Sequence, residues 1–65
     1  MQTDPAVTIT ISLTSAQAWA FAEFLKRVGL SDFAALAVDQ EEALAMLSAA
    51  AAIRLELAQA GYAPR

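Results

Sequence analysis

The chain has 65 residues, 58% of them hydrophobic, with seven acidic and four basic side chains, a net charge of −3 and a pI of about 4.4. It holds no histidine and no cysteine, which removes the usual general base, the commonest metal ligand and any disulfide staple. The acidic balance gives no general attraction to phosphate backbones or anionic lipid. At this length one domain over residues 1–65 is expected, with a core of marginal size for a chain that stands alone. A small chain with so much apolar surface gains from burying it against a second copy, so a homodimer is expected.

Residues 1–6, which include Pro5, read as a short disordered lead. They carry no basic n-region, so no signal peptide is expected and the cytoplasm is the expected compartment. The apolar run at Ala49–Ala52 is soon interrupted by Arg54 and Glu56, too short for a membrane span; no membrane partner is expected. From Val7 to Leu13 the residues alternate: Val7, Ile9, Ile11 and Leu13 are apolar, and Thr8, Thr10 and Ser12 carry hydroxyls. This period of two predicts a strand over 7–13. No second stretch of the kind follows, and a lone strand leaves its N–H and C=O groups unpaired. The pattern therefore predicts a two-stranded antiparallel ribbon between two copies, with Val7, Ile9, Ile11 and Leu13 at the dimer interface.

Thr14 with Gln17 three residues later is a capping-box pattern that opens a helix over 14–28, with Gly29 as its stop. Ala18, Phe21, Ala22, Leu25 and Val28 share one face at helical spacing, and Trp19 and Phe24 widen it. Lys26 and Arg27 fall in the last turn, where the helix dipole favours cations. Ser31 or Asp32 can cap a short helix over 31–38. Asp39, with Glu42, caps a long helix over 39–60 that ends at Gly61, and a break or kink is expected at Val38-Asp39. In the long helix Ala43, Met46, Leu47, Ala50, Ile53, Leu57 and Ala60 come close to a heptad stripe. The tail after Gly61 reads as loose. The fold class expected is mainly α: one N-terminal β-strand plus two to three helices, arranged as a ribbon-helix-helix-like homodimer.

Chemistry-bearing groups are sparse. Asp39, Glu41 and Glu42 form the one dense acidic group. A carboxylate pair can transfer protons or hold a hard cation, but acids at a helix N-terminus also stabilise its dipole and cap its first N–H groups, the simpler reading. The serines have no histidine to activate them, and the two glycines stand apart, so there is no phosphate loop. Neither enzyme activity nor a cofactor nor a metal is expected. Trp19, Phe21, Phe24 and Phe33 cannot all be buried in so small a monomer. They either fill a dimer core or, as with Trp19 off the main stripe, anchor a partner; Tyr62 is a further candidate anchor.

Thr8-Ile9-Thr10-Ile11-Ser12-Leu13, a helix, and Gly29-Leu30-Ser31 opening the next helix together resemble the ribbon-helix-helix family of small bacterial repressors and antitoxins. That resemblance implies outward strand residues in the DNA major groove, here Thr8, Thr10 and Ser12, with Lys26 or Arg27 on phosphates. Hydroxyls discriminate bases weakly, Asp32 places a negative charge where a phosphate would sit, and no basic residue lies in or before the strand. The chain as a whole is similar to an uncharacterised family of short proteins carried on bacterial plasmids and integrative elements. The residues behind the likeness are Ala20-Phe21-Ala22-Glu23-Phe24-Leu25-Lys26-Arg27-Val28-Gly29, Ala37-Val38-Asp39 and Ala60-Gly61-Tyr62-Ala63-Pro64-Arg65. Small acidic proteins of such elements include inhibitors of host defence complexes, such as anti-CRISPR proteins. The leading expectation is a non-enzymatic interaction protein that binds a protein partner through Asp39, Glu41, Glu42 and Trp19. The alternative is a ribbon-helix-helix DNA regulator.

Overall fold

The structure is a computed structural model that describes residues 4–65. Three helices follow one another: α1 over Ser15–Arg27, α2 over Leu30–Leu36 and α3 over Gln40–Gln59. α1 and α2 each pack against α3 and not against one another.

Local chemistry sets most of the boundaries. Gln17 N–H donates to Thr14 Oγ1 at 3.1 Å, and Thr14 N–H donates to Gln17 Oε1 at 2.9 Å, so the first turn of α1 is closed reciprocally. α1 stops at Arg27, where Val28 takes an extended backbone as C-cap. Gly29 is also extended, with φ −129°, and serves as the N-cap of α2 rather than as a left-handed stop for α1. Asp32 sits three residues into α2, and its Oδ2 accepts the Gly29 N–H at 2.8 Å. The short helix consequently begins at Leu30 and ends at Leu36, before the break expected at Val38-Asp39. Asp39 Oδ1 accepts the Glu42 N–H at 2.8 Å and so caps α3. Glu42 does not return the bond to Asp39; its Oε1 accepts from Val38 N–H at 3.3 Å.

The end of α3 is a Schellman turn. Gly61 has φ +104°, Gly61 N–H donates to Ala58 O at 3.0 Å, and Tyr62 N–H donates to Leu57 O at 2.8 Å. This turn sends the tail back over α1 rather than leaving it loose. The Tyr62 hydroxyl lies 3.2 Å from Ser15 Oγ, and its ring stands edge-on to Trp19 with centroids 5.1 Å apart.

The expected β-strand over 7–13 is absent. Among the described residues there is no strand, and Val7–Leu13 forms an arm without regular structure ahead of α1. The intermolecular ribbon and the ribbon-helix-helix class are corrected accordingly; a mainly α chain holds. The physical reason is that alternation decides which side of a segment is apolar, whereas a strand exists only when a ladder partner lies beside it.

Among the described residues the buried side chains are Ala18, Ala22 and Leu25 of α1 and Ala43 of α3, and no large side chain is fully buried. Alanine lets helices approach closely but removes little apolar area from water. Met46, Ala50 and Leu57 of the α3 stripe are half-buried, while Leu47 and Ile53 remain exposed. The Cα radius of gyration is 13.2 Å, against about 11 Å for a compact chain of this length. Among the described residues no helix is long and apolar enough to cross a membrane.

Candidate functional site

Two surfaces stand out, at opposite ends of α3. The first is the turn between α2 and α3. Leu36 and Val38 are 84% and 83% exposed there, among the most exposed large apolar side chains of the chain. Asp39, Glu41 and Glu42 follow directly. Asp39 is engaged as the α3 cap and Glu42 with the Val38 N–H. Glu41 is exposed in the first helical turn. The carboxylates are therefore spread along a helix start, where the dipole favours them. Among the described residues no group of three or more Asp or Glu side chains converges in a way that could hold a metal ion. What the turn presents to solvent is two aliphatic side chains beside negative charge.

The second surface is a groove of about 1160 Å³ between the N-terminal arm and the faces of α1 and α3. Its arm side is formed by Val7, Thr8, Ile9, Ile11 and Leu13, while Thr10 and Ser12 take no part. Phe21, Ile53 and Leu57 form much of the helical side, and Glu56 is the one acid among its lining residues. Arm exposure falls from 83% at Val7 to 43% at Leu13 as the chain approaches α1. A smaller recess of about 380 Å³ lies where α1, α2 and α3 meet, lined by Leu25, Phe33, Leu47 and Arg54 among others.

The residues expected to act together are separated. Trp19 is on α1, against Tyr62 beyond the C-terminal end of α3. Asp39, Glu41 and Glu42 lie at the other end of that 20-residue helix, about 30 Å along its axis. Trp19 is half-covered by Tyr62 and belongs to a different surface from the acids. The hydroxyls of Thr8, Thr10 and Ser12 are exposed on the arm before α1, whereas Lys26 and Arg27 close its far end. Eleven helical residues, Ser15–Leu25, lie between, roughly 16 Å. Arg27 is further engaged with Glu23 at 2.8 Å. Without a ribbon, nothing holds those hydroxyls in a common plane for a groove of DNA. Val7, Ile9, Ile11 and Leu13, by contrast, do share one surface.

Sequence reasoning missed Leu36 and Val38. Their signal was available: two aliphatic residues flanking a predicted helix break, with no helical stripe to absorb them. It also missed the docking of Tyr62 onto Ser15, 47 positions away, for which no local pattern exists.

Comparison with curated proteins and with solved structures gives no match. A family of unknown function matches from the first residue to the last, and the chain belongs to it: over residues 1–65 it is a member of DUF7706.

Proposed function

We propose that this protein is a small non-enzymatic interaction protein whose α2–α3 turn docks onto a protein partner. The observation that carries the reading is the exposure of Leu36 and Val38, 84% and 83%, directly before the acidic start of α3. Isolated surface aliphatics are ordinary, but two at a tight helix–helix turn beside like charges form an apolar knob with an acidic rim. The complementary partner is a protein face with an apolar pocket and basic residues around it; charge complementarity then speeds encounter and fixes orientation. Glu41 is the acid in this group without a capping bond, so it is the one assigned to the partner. The likeness to short proteins of plasmids and integrative elements suggests a host complex as the partner and inhibition as the outcome, in the manner of anti-CRISPR proteins.

The test is affinity capture with the intact chain, followed by titration of the captured protein against Val38→Glu and Glu41→Lys. Both positions are exposed, so both variants keep the helical circular dichroism of the parent. The expected result is a stoichiometric partner whose affinity falls at least tenfold with each variant. A partner bound equally by both variants refutes the turn as the site. Tight, sequence-specific DNA binding with a steep salt dependence refutes the reading as a whole.

A further inference from the structure

The groove between the arm and the helices is the place where the chain is unfinished. A compact monomer of 6.9 kDa exposes about 4000 Å², whereas this chain exposes 5406 Å². An allowance for Met1–Thr3, at the extended-chain limit of ~1.45 Å² per dalton, still leaves a surplus of about 1000 Å². A standard interface takes about 800 Å² from each partner. Apolar side chains exposed on the arm and on the helix faces opposite, among them Val7, Ile9, Ile11, Phe21 and Ile53, contribute to that surplus.

We infer that a second copy of this chain seats in that groove, forming a two-fold dimer in which each arm lies against the helices of the other copy. Three observations select a second copy over an unrelated protein. First, the shortage of core belongs to the folded chain itself: among the described residues four side chains are buried and three of them are alanine. The covering surface must then be present whenever the chain is, and a second copy always is. Second, a two-fold interface needs a patch complementary to itself. Here an apolar ridge, the arm, and an apolar floor, around Ile53 and Leu57, lie side by side on one molecule. Third, a chain of net charge −3 repels its copy except across a face nearly free of carboxylates, and Glu56 is the single acid at this one. The contact is between side chains and helix faces and requires no backbone ladder. It leaves Leu36 and Val38 outside, so it stands independently of the turn proposed above.

Sedimentation equilibrium of the full chain over a range of concentrations tests the inference. The expected mass is twice the 6.9 kDa of one chain. Ile53→Glu sets a carboxylate on the groove floor, twice per dimer, and raises the dissociation constant roughly a hundredfold or more. Should Ile53→Glu fail to fold, Ile9→Glu decides: Ile9 precedes every helix and is exposed, so the monomer tolerates it and only the dimer is weakened. Val38→Glu, on the far surface, leaves the mass at two chains. A wild-type mass of one chain at all concentrations overturns the inference, as does a dimer that Ile9→Glu leaves intact.

Discussion

Replacing Gly61 with alanine isolates the energetics of a single backbone angle. Gly61 has φ +104°, and a Cβ built there meets nothing within 4 Å. The cost is therefore conformational and not steric. An L-residue in left-handed backbone costs about 1–2 kcal/mol, from its Cβ against the following carbonyl. The reduced freedom of the unfolded chain returns about 0.4–1 kcal/mol of that. Gly29→Ala is the matched control. It brings the same unfolded-state gain, but φ at Gly29 is −129°, and its Cβ would meet Asp32 Oδ2 at 3.9 Å, an ordinary contact. The unfolded-state gain cancels between the two; the left-handed cost of about 1–2 kcal/mol, less the roughly 0.5–1 kcal/mol that alanine loses against glycine at the α2 N-cap, leaves Gly61→Ala the less stable by about 0.5–1 kcal/mol, which in a chain this small is ~4–8 °C in Tm per kcal/mol. Far-UV circular dichroism at one fixed protein concentration measures it, since the inferred dimer would make Tm concentration-dependent. The single tryptophan adds a local readout. Trp19 stands against Tyr62, and Tyr62 is delivered by the turn at Gly61, so Gly61→Ala should also shift Trp19 emission while Gly29→Ala leaves it unchanged. Equal Tm values for the two variants would refute the argument, because the left-handed cost at Gly61 is expected to exceed the capping loss at Gly29.

Other perturbations read out the remaining local devices. Thr14→Ala removes the side-chain acceptor of the α1 cap and should cost about 1 kcal/mol, seen as a lower urea midpoint with an unchanged slope. Asp39→Ala should cost about the same at α3, whereas Asp39→Asn keeps a capping acceptor and should stay within about 0.5 kcal/mol; equal losses in both would mean that charge and not capping is what Asp39 contributes. Arg27→Ala breaks the exposed pair with Glu23 and should move stability by less than about 0.5 kcal/mol, a loss that shrinks further as salt is added.

What could be read from the sequence followed the range of the interactions. Thr14 with Gln17, Asp39 with Glu42 and Gly61 act over three or four residues, and spacing alone locates them. Gly29 shows the limit: a glycine between two helices suits the end of one and the start of the next, and only the backbone angles show that it caps α2. Asp32 was ambiguous for the same reason, since an acid can sit at the cap or three residues inside it. The alternation of Val7–Leu13 marks which side chains are apolar, and the groove takes all four of them together with Thr8, while Thr10 and Ser12 stay out of it. It could not report a strand, which depends on a neighbour elsewhere. Tyr62 against Ser15 and Trp19 spans most of the chain and leaves no local trace. In α3 the stripe of Ala43, Met46, Ala50, Ile53 and Leu57 marks an apolar face, yet alanine-rich stripes do not say how fully a neighbour covers them, and Ile53 stays in the open. The expected site joined Trp19 to Asp39, Glu41 and Glu42 by residue type, and the length of α3 sets them apart.

The packing of α1 and α2 on α3 alone gives the molecule two separable halves on one spine. α2 has seven residues, none of them buried, and no side-chain acceptor at its N-cap. It contributes none of the buried side chains, so its opening exposes less buried apolar area than that of α1, which holds Ala18, Ala22 and Leu25. Amide hydrogen exchange in α2 should run ahead of that in α1 under native conditions. Leu36 is the last residue of α2, so in the proposed complex the knob it forms with Val38 can be reshaped without unfolding α1. In the complex proposed above, a face built this way would accept related partners more readily than it discriminates between them.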